Sequence, residues 1–392
     1  MRPQHWLAND KSQDNSLKEI KKVTVKYNEK TVGYLAQITP SVIGFQYDEE
    51  WQKNGFSVSP LSLPLSDTIY TSGKEMFGGL YGVFFDSLPD GWGELLLNRF
   101  LSRNGINPER LSVLTKLSLI GKNGLGGLTY EPSQPYAEPI SDVNNFDALS
   151  KAINDILNDS ANENELDEVY ALGGSSGGAR PKAHIKIDGE EWIVKFACRI
   201  DLENVGSEEY KANETAKKCG IQVNEFRMFP SEKCKGYFGT KRFDRAYSNT
   251  GDSEILQEKR LHMVSLSALL ETTHKIPNLD YMHLFQVIQE ICVNPKEDMY
   301  EAYRRMCFNV FYKNKDDHGK NFSFLYHEGK KGYVLSPAYD LTKTPEKFEH
   351  EMTVNGNGNP SEKDLLAVAE EFKLNLAESK EIIRNIRAIC EQ

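Results

Sequence analysis

Apolar and polar residues alternate along the first patterned stretch of the chain. Val23-Thr-Val-Lys-Tyr27 and Thr31-Val-Gly-Tyr-Leu35 flank Asn28-Glu-Lys30, the pattern of a β-hairpin. Short β-like runs and turn residues continue to about Asp67, and the apolar run 78–85 is broken by Asp86-Ser-Leu-Pro-Asp-Gly91. Leu95, Leu96 and Phe100 then predict a helix over 92–103, and Gly121-Lys-Asn-Gly-Leu-Gly-Gly127 precedes Leu128-Thr-Tyr130. Residues 131–139, rich in proline and polar groups, read as a linker. Phe146, Leu149, Ile153, Ile156 and Leu157 keep helical period, and 158–165 reads as a polar connection. Ala183-His-Ile-Lys-Ile187 and Glu191-Trp-Ile-Val-Lys-Phe196 read as strands, 207–219 as a helix, and 241–245 as the close of a further strand. Met299, Tyr303, Met306, Cys307 and Val310 give a helix one buried face and lead into a polar hexamer. Phe322-Ser-Phe-Leu-Tyr326 and Tyr333-Val-Leu335 follow as strands. Ser361 and Asp364 mark a helix start, with Leu365, Leu366, Val368, Ala369 and Phe372 behind it. Ile382, Ile383, Ile386 and Ile389 mark a last amphipathic helix.

These elements predict an α+β chain. Residues 1–20 read as a flexible or disordered N-terminus, 21–135 as a β-rich module, 140–245 as a central α/β lobe and 246–392 as a mostly helical C-terminal lobe. A length of 392 residues allows two or three domains with a substantial core. The net charge of −10 argues against autonomous, non-specific nucleic-acid binding, which needs clustered Lys and Arg. A local basic patch, or a partner that touches DNA, stays open. Six scattered cysteines without a C-x-x-C pair indicate neither a zinc site nor a redox motif, and fit a reducing cytosol. The polar N-terminus lacks an apolar h-region and no apolar run approaches membrane-spanning length, which predicts a soluble cytoplasmic protein.

Candidate chemistry concentrates in Asp316-Asp-His-Gly-Lys-Asn321, which has the D-x-x-x-x-N spacing of a protein-kinase catalytic loop, with Asp340 downstream. In that chemistry Asp316 accepts the proton of a substrate hydroxyl, and Asn321 and Asp340 hold magnesium against the nucleotide phosphates. The same residue types crowd ordinary surface turns, so the upstream sequence matters. In Leu172-Gly-Gly-Ser-Ser-Gly-Gly-Ala-Arg-Pro-Lys182, backbone groups of Ser176, Gly177, Gly178, Ala179 and Arg180, with Lys182, suit an anion; the bland reading is a flexible linker. It lacks the ending of a Walker A motif. Lys195 interrupts an apolar strand, either as a phosphate-gripping lysine paired with Glu209 or Glu214, or as an edge-strand lysine facing water. Backbone groups of Lys241, Arg242 and Phe243 suit an adenine hinge with Phe243 against the base, while Asp244 and Arg245 read equally as a surface ion pair. His318 suits a nucleotide contact or a structural hydrogen bond, and His184 is as ambiguous. Glycine loop, lysine strand and catalytic loop in that order predict a bilobal kinase-like fold.

The chain resembles the HipA family of bacterial serine/threonine kinases, the toxin half of HipBA toxin–antitoxin modules. The resemblance rests on Ser175-Ser-Gly-Gly-Ala-Arg-Pro-Lys182, Val194-Lys-Phe196, Lys241-Arg-Phe-Asp-Arg245, Asp316-Asp-His-Gly-Lys-Asn321 and Pro337-Ala-Tyr-Asp340. Val32-Gly-Tyr-Leu35, Gly44-Phe-Gln-Tyr-Asp-Glu-Glu-Trp51, Leu61-Ser-Leu-Pro-Leu65, Phe85-Asp-Ser-Leu-Pro-Asp90 and the 121–127 glycine run extend it over nearly the whole chain. It implies an ATP- and Mg2+-dependent protein kinase with Asp316 as base, Asn321 and Asp340 on the metal, Lys195 on the phosphates, and Lys320 and Tyr339 also at the nucleotide. It implies Ser175 as an autophosphorylated serine whose modification ejects the loop, with Ser176 its adjacent rival. It further implies an aminoacyl-tRNA synthetase as substrate, a helix-turn-helix antitoxin as partner, operator DNA reached through that antitoxin, and no membrane. The loop departs from better-known members, which carry one serine and a Gln-Glu before the lysine. A kinase of lipids or small molecules, and an ATP-binding regulatory module acting through the antitoxin, are the alternatives.

Overall fold

The computed structural model describes residues 17–71, 75–134, 145–198, 205–249 and 256–392. Most of the expected flexible N-terminus and most of the expected linker lie outside the described residues. Within them, four sheets form. The first is antiparallel, order β4-β3-β2-β1-β5, from β1 (Lys22–Tyr27), β2 (Lys30–Thr39), β3 (Val42–Tyr47), β4 (Tyr70–Thr71) and β5 (Leu128–Glu131). Val23, Val25 and Tyr27 alternate inward, as the sequence pattern requires. The predicted hairpin turns on Asn28 and Glu29, both at positive φ (44° and 67°), the left-handed pair that matches strand twist.

Helices α1 (Glu49–Asn54), α2 (Gly82–Phe85), α3 (Gly91–Arg103) and α4 (Val113–Ile120) belong to the same part of the chain. α3 does not pack on its own sheet. Its apolar face, Trp92, Leu96, Leu97, Phe100 and Leu101, enters a second core with α5 (Phe146–Leu157), α6 (Glu163–Gly173) and the central sheet. α6 begins inside the stretch read as a polar connection, because Asn162 and Glu165 cap each other's backbone. The central sheet is antiparallel, order β6-β7-β9-β8, from β6 (Lys182–Ile187), β7 (Glu190–Lys195), β8 (Phe226–Phe229) and β9 (Tyr237–Lys241). α7 (Val205–Lys218) lies over β8 and β9.

A hairpin of β10 (Arg245–Asn249) and β11 (Leu256–Arg260) leads to the last sheet, β12 (Met263–Ser265), β13 (Ser323–His327) and β14 (Gly332–Leu335). The C-terminal lobe is otherwise helical: α8 (Leu266–Leu269), α9 (Tyr281–Ile291), α10 (Pro295–Tyr312), α11 (Glu362–Glu371) and α12 (Leu376–Cys390). α10 is its axis, with Tyr303, Met306, Cys307 and Phe308 fully buried between α9 and α12. Ser361 and Asp364 form the expected capping box on α11.

Two buried histidines link this packing to pH. His262 donates Nε2–H to Val58 O at 2.8 Å, and burial pushes its pKa down to about 4. Burial, aided by Arg242, also holds His184 well below the usual imidazole range. Both are neutral in the folded chain, so the unfolded chain takes up the protons first as pH falls. Stability should therefore drop between about pH 6.5 and pH 4, by about 3 kcal/mol for His262 alone, and not recover below that. Urea unfolding of the wild type and His262→Gln across this window checks it; equal slopes would remove His262 as a source.

Candidate active site

The catalytic-loop sequence is fixed by a buried polar chain. α10 ends at Lys313, in the left-handed conformation (φ 62°), and Asn314 Nδ2 donates to Asn309 Oδ1 at 2.9 Å. Asn309 Nδ2 donates to Tyr281 Oη (2.9 Å), which donates to Asp317 Oδ2 (2.8 Å). Asp317 also accepts from His350 Nδ1 (2.8 Å) and Glu351 N (3.0 Å), so its buried carboxylate is fully engaged. Sequence reading left Asp317 without a role; it is the anchor that turns its neighbour Asp316 outward. Asp316 is half-buried and accepts from Lys347 Nζ at 2.5 Å. Asn321 Nδ2 donates to Asp316 O at 2.8 Å, which leaves Oδ1 as the atom it offers a cation.

Lys195 is the electrostatic centre. Its strand β7 is flanked by β6 and β9, so the edge-strand reading does not hold, and its ammonium bonds Glu209 and, at 2.6 Å, Asp340. Glu214, the other candidate partner, is exposed. Burial alone would push the Lys195 ammonium down, but the two carboxylates raise it well above the usual lysine value. Lys195 and then Lys182 hold the Asp340 carboxyl well below the usual carboxylate range, against its burial. Asp340 itself has φ +55°, a backbone state that Asp tolerates better than most residues.

The phosphate loop is tied down, unlike a linker. Ser176 is fully buried and donates its hydroxyl to Gly173 O at 2.6 Å, while Ser175 is partly exposed. Gly178, at φ +82°, accepts from Trp92 N (2.9 Å) and donates its N–H to the Asp90 carboxylate. Lys182 Nζ donates to Gly177 O at 2.5 Å, and burial lowers its pKa. A Cβ at Gly93 would collide with Ser176 O, so glycine is required where α3 meets this loop. Asp90 also accepts from Lys320 Nζ at 2.5 Å, and thereby joins the phosphate loop to the catalytic loop. Asp90 was missed; its signal was the polar break 86–91 beside two glycines, readable only as a turn.

The remaining expectations divide. The Lys241 side chain pairs with Glu190 (2.5 Å). Lys241 N–H and C=O and Arg242 N–H are bonded to Glu225 O, Asn224 Nδ2 and Glu191 O. The Lys241 carbonyl keeps a second lone pair beside its bond from Asn224, and the Phe243 ring lies 5.3 Å from that of Tyr339. The Arg242 guanidinium faces a buried cluster, not the site: it bonds Asp244 (2.7 Å) and Glu191 (2.9 Å). Asp244 and Arg245, expected as a surface pair, are buried in the same cluster. The Tyr339 hydroxyl bonds Lys320 O (2.5 Å) and Ser323 Oγ (2.6 Å), so its ring is what faces outward to Phe243. The His318 ring lies 5.3 Å from the His274 ring, and its buried Nδ1 has no hydrogen-bond partner among the described residues. Ala179 is exposed, and Arg180 is half-buried on the same loop.

Residues 23–131 match the HipA N-terminal domain and residues 174–392 the HipA-like C-terminal domain. The chain therefore belongs to the HipA family. It is 25% identical over 356 residues to Y4dM of Sinorhizobium fredii (strain NBRC 101917 / NGR234), provisionally named a kinase, covering 83% of this chain and 82% of that one. Y4mE of the same strain, named likewise, is 35% identical over 60 residues, 15% of this chain and 14% of that one. Among solved structures, the HipA, HipB and operator DNA complex of Shewanella oneidensis MR-1 matches with a TM-score of 0.69 at 19% identity, over 94% of this chain and 90% of that one. The fold is α+β and kinase-like. Among the described residues, no helix is long and apolar enough to cross a membrane.

Proposed function

We propose that this protein is an ATP- and magnesium-dependent serine/threonine kinase, the toxin of a toxin–antitoxin pair. The observation that carries the reading is Lys195, buried in the central sheet between Glu209 and Asp340, with Asp316 and Asn321 on the neighbouring loop. The kinase names of Y4dM and Y4mE, and the presence of HipB and operator DNA in the Shewanella complex, support it. Lys195 and the amides of the phosphate loop bind the polyphosphate, and the unpartnered Nδ1 of His318 fits a nucleotide oxygen. Asp340 and Asn321 Oδ1 would hold magnesium. Bound there, magnesium would neutralise phosphate charge as it develops. Asp316 takes the proton of the acceptor hydroxyl as that oxygen bonds the γ-phosphorus and the β–γ bridging P–O bond breaks, releasing ADP.

The acceptor is an aminoacyl-tRNA synthetase, and the partner a helix-turn-helix antitoxin that brings the chain to operator DNA; both follow from family likeness. Self-phosphorylation on Ser175 rather than Ser176 is supported by exposure, since Ser176 is buried and its hydroxyl engaged. Intact-mass and peptide mass spectrometry before and after incubation with magnesium and ATP tests both points. One added phosphate on Ser175 is expected in the wild type, forming ~10²–10⁴-fold more slowly in Asp316→Ala. Undiminished modification of Asp316→Ala would remove the base assignment, and phosphate on Ser176 would move the regulatory site by one residue.

A further inference from the structure

We propose that Lys347 is the positioning residue of this site: it fixes the rotation of the Asp316 carboxylate so that one oxygen faces the acceptor hydroxyl. This rests on the kinase reading above. Lys347 Nζ bonds Asp316 Oδ1 at 2.5 Å, which leaves Oδ2 for the acceptor. On its other side the same ammonium bonds Glu351 Oε1 at 2.8 Å, so it is held from both directions.

The pair is about one-third exposed (34% and 37%), and an ordinary surface ion pair of that kind fixes little. Here the backbone fixes it. Lys315 Nζ donates to Lys347 O (2.8 Å) and Phe348 O (3.0 Å). Thr344 N donates to Lys313 O (3.0 Å), Lys315 N to Thr344 Oγ1 (2.8 Å), and Glu351 N to both Lys315 O (3.1 Å) and Asp317 Oδ1 (3.0 Å). Residues 344–351 are thus laced to the catalytic loop on both sides of Asp316. A carboxylate without such a clamp rotates about its last bond, and a reacting group displaced by about 1 Å can cost about 10²-fold in rate. Sequence reading passed over Lys347 because it lies 31 positions from the base, in a segment with no motif.

The test is single-turnover transfer from γ-labelled ATP, with KM for ATP and thermal midpoint measured alongside. Lys347→Met should lower kcat about 10- to 100-fold, with KM for ATP and the midpoint unchanged, and Lys347→Arg should recover most of the rate. Added to Asp316→Asn, Lys347→Met should cost nothing further, since it acts through the carboxylate. Wild-type rates in Lys347→Met, a loss confined to KM or the midpoint, or an equal loss in both backgrounds would each overturn the assignment. A wild type that transfers no phosphate would overturn the kinase reading, and this inference with it.

Discussion

Asp340→Asn should slow phosphoryl transfer by about 10⁴-fold and weaken magnesium-dependent ATP binding, with little change in the unfolding midpoint. The substitution keeps the side-chain volume, and Asn adopts the left-handed backbone (φ +55°) as readily as Asp, so strain does not confuse the result. What is lost is charge. Asp340 is the one carboxylate in the proposed metal set, and an amide in its place removes the anion that a hard cation prefers. Lys195 keeps its buried partner Glu209, so the lysine is not stranded and the sheet should hold. The deficit should then fall on the metal–nucleotide complex first and on transfer with it. Isothermal titration of ATP with and without magnesium, followed by single-turnover transfer, separates the two. An unchanged magnesium dependence of binding would take Asp340 out of the metal site, whatever happened to the rate.

The grouping of several candidate residues was legible because it is written in short local spacings. Asp316 and Asn321 sit five residues apart on one loop, and Lys195 shows as a charge in an apolar strand, which burial allows only with partners. The hairpin at Asn28-Glu29 and the α11 cap at Ser361 were legible for a similar reason, since each depends on neighbouring residues alone. Tertiary partners were not legible. Asp90 and Lys320 are far apart in sequence, as are Asp317 and His350, and nothing local in either pair demands the other. α3 gave its helical period correctly but not its destination, because an apolar face states that it will be buried and not against what. Polarity misled at Asp244 and Arg245, where charges read as a surface pair are buried together with Arg242.

That buried cluster yields the largest expected effect on stability. Asp244→Ala should destabilise the chain by ~3–5 kcal/mol, a large share of the ~5–15 kcal/mol that holds a typical domain together. The Asp244 carboxylate accepts from Arg242 Nη2 (2.7 Å), Arg245 Nη1 (3.0 Å) and Gly126 N (2.6 Å). Burial alone would raise its pKa, but the two guanidinium groups outweigh that and hold it far below the usual range. Arg245 in turn donates to Gly126 O (2.9 Å), so the run 121–127 is the N-terminal module's seat on the central lobe. Removing the carboxylate leaves two buried cations to be balanced by Glu191 (2.9 Å from Arg242 and 3.4 Å from Arg245) and Glu258 (3.3 Å from Arg245). It also frees the residue next to Phe243, so nucleotide affinity should fall in the variant molecules that do fold. The urea midpoint of Asp244→Ala against wild type measures the cost. A shift worth under about 1 kcal/mol would mean that Glu191 and Glu258 suffice for both arginines, and that the joint rests on apolar packing instead.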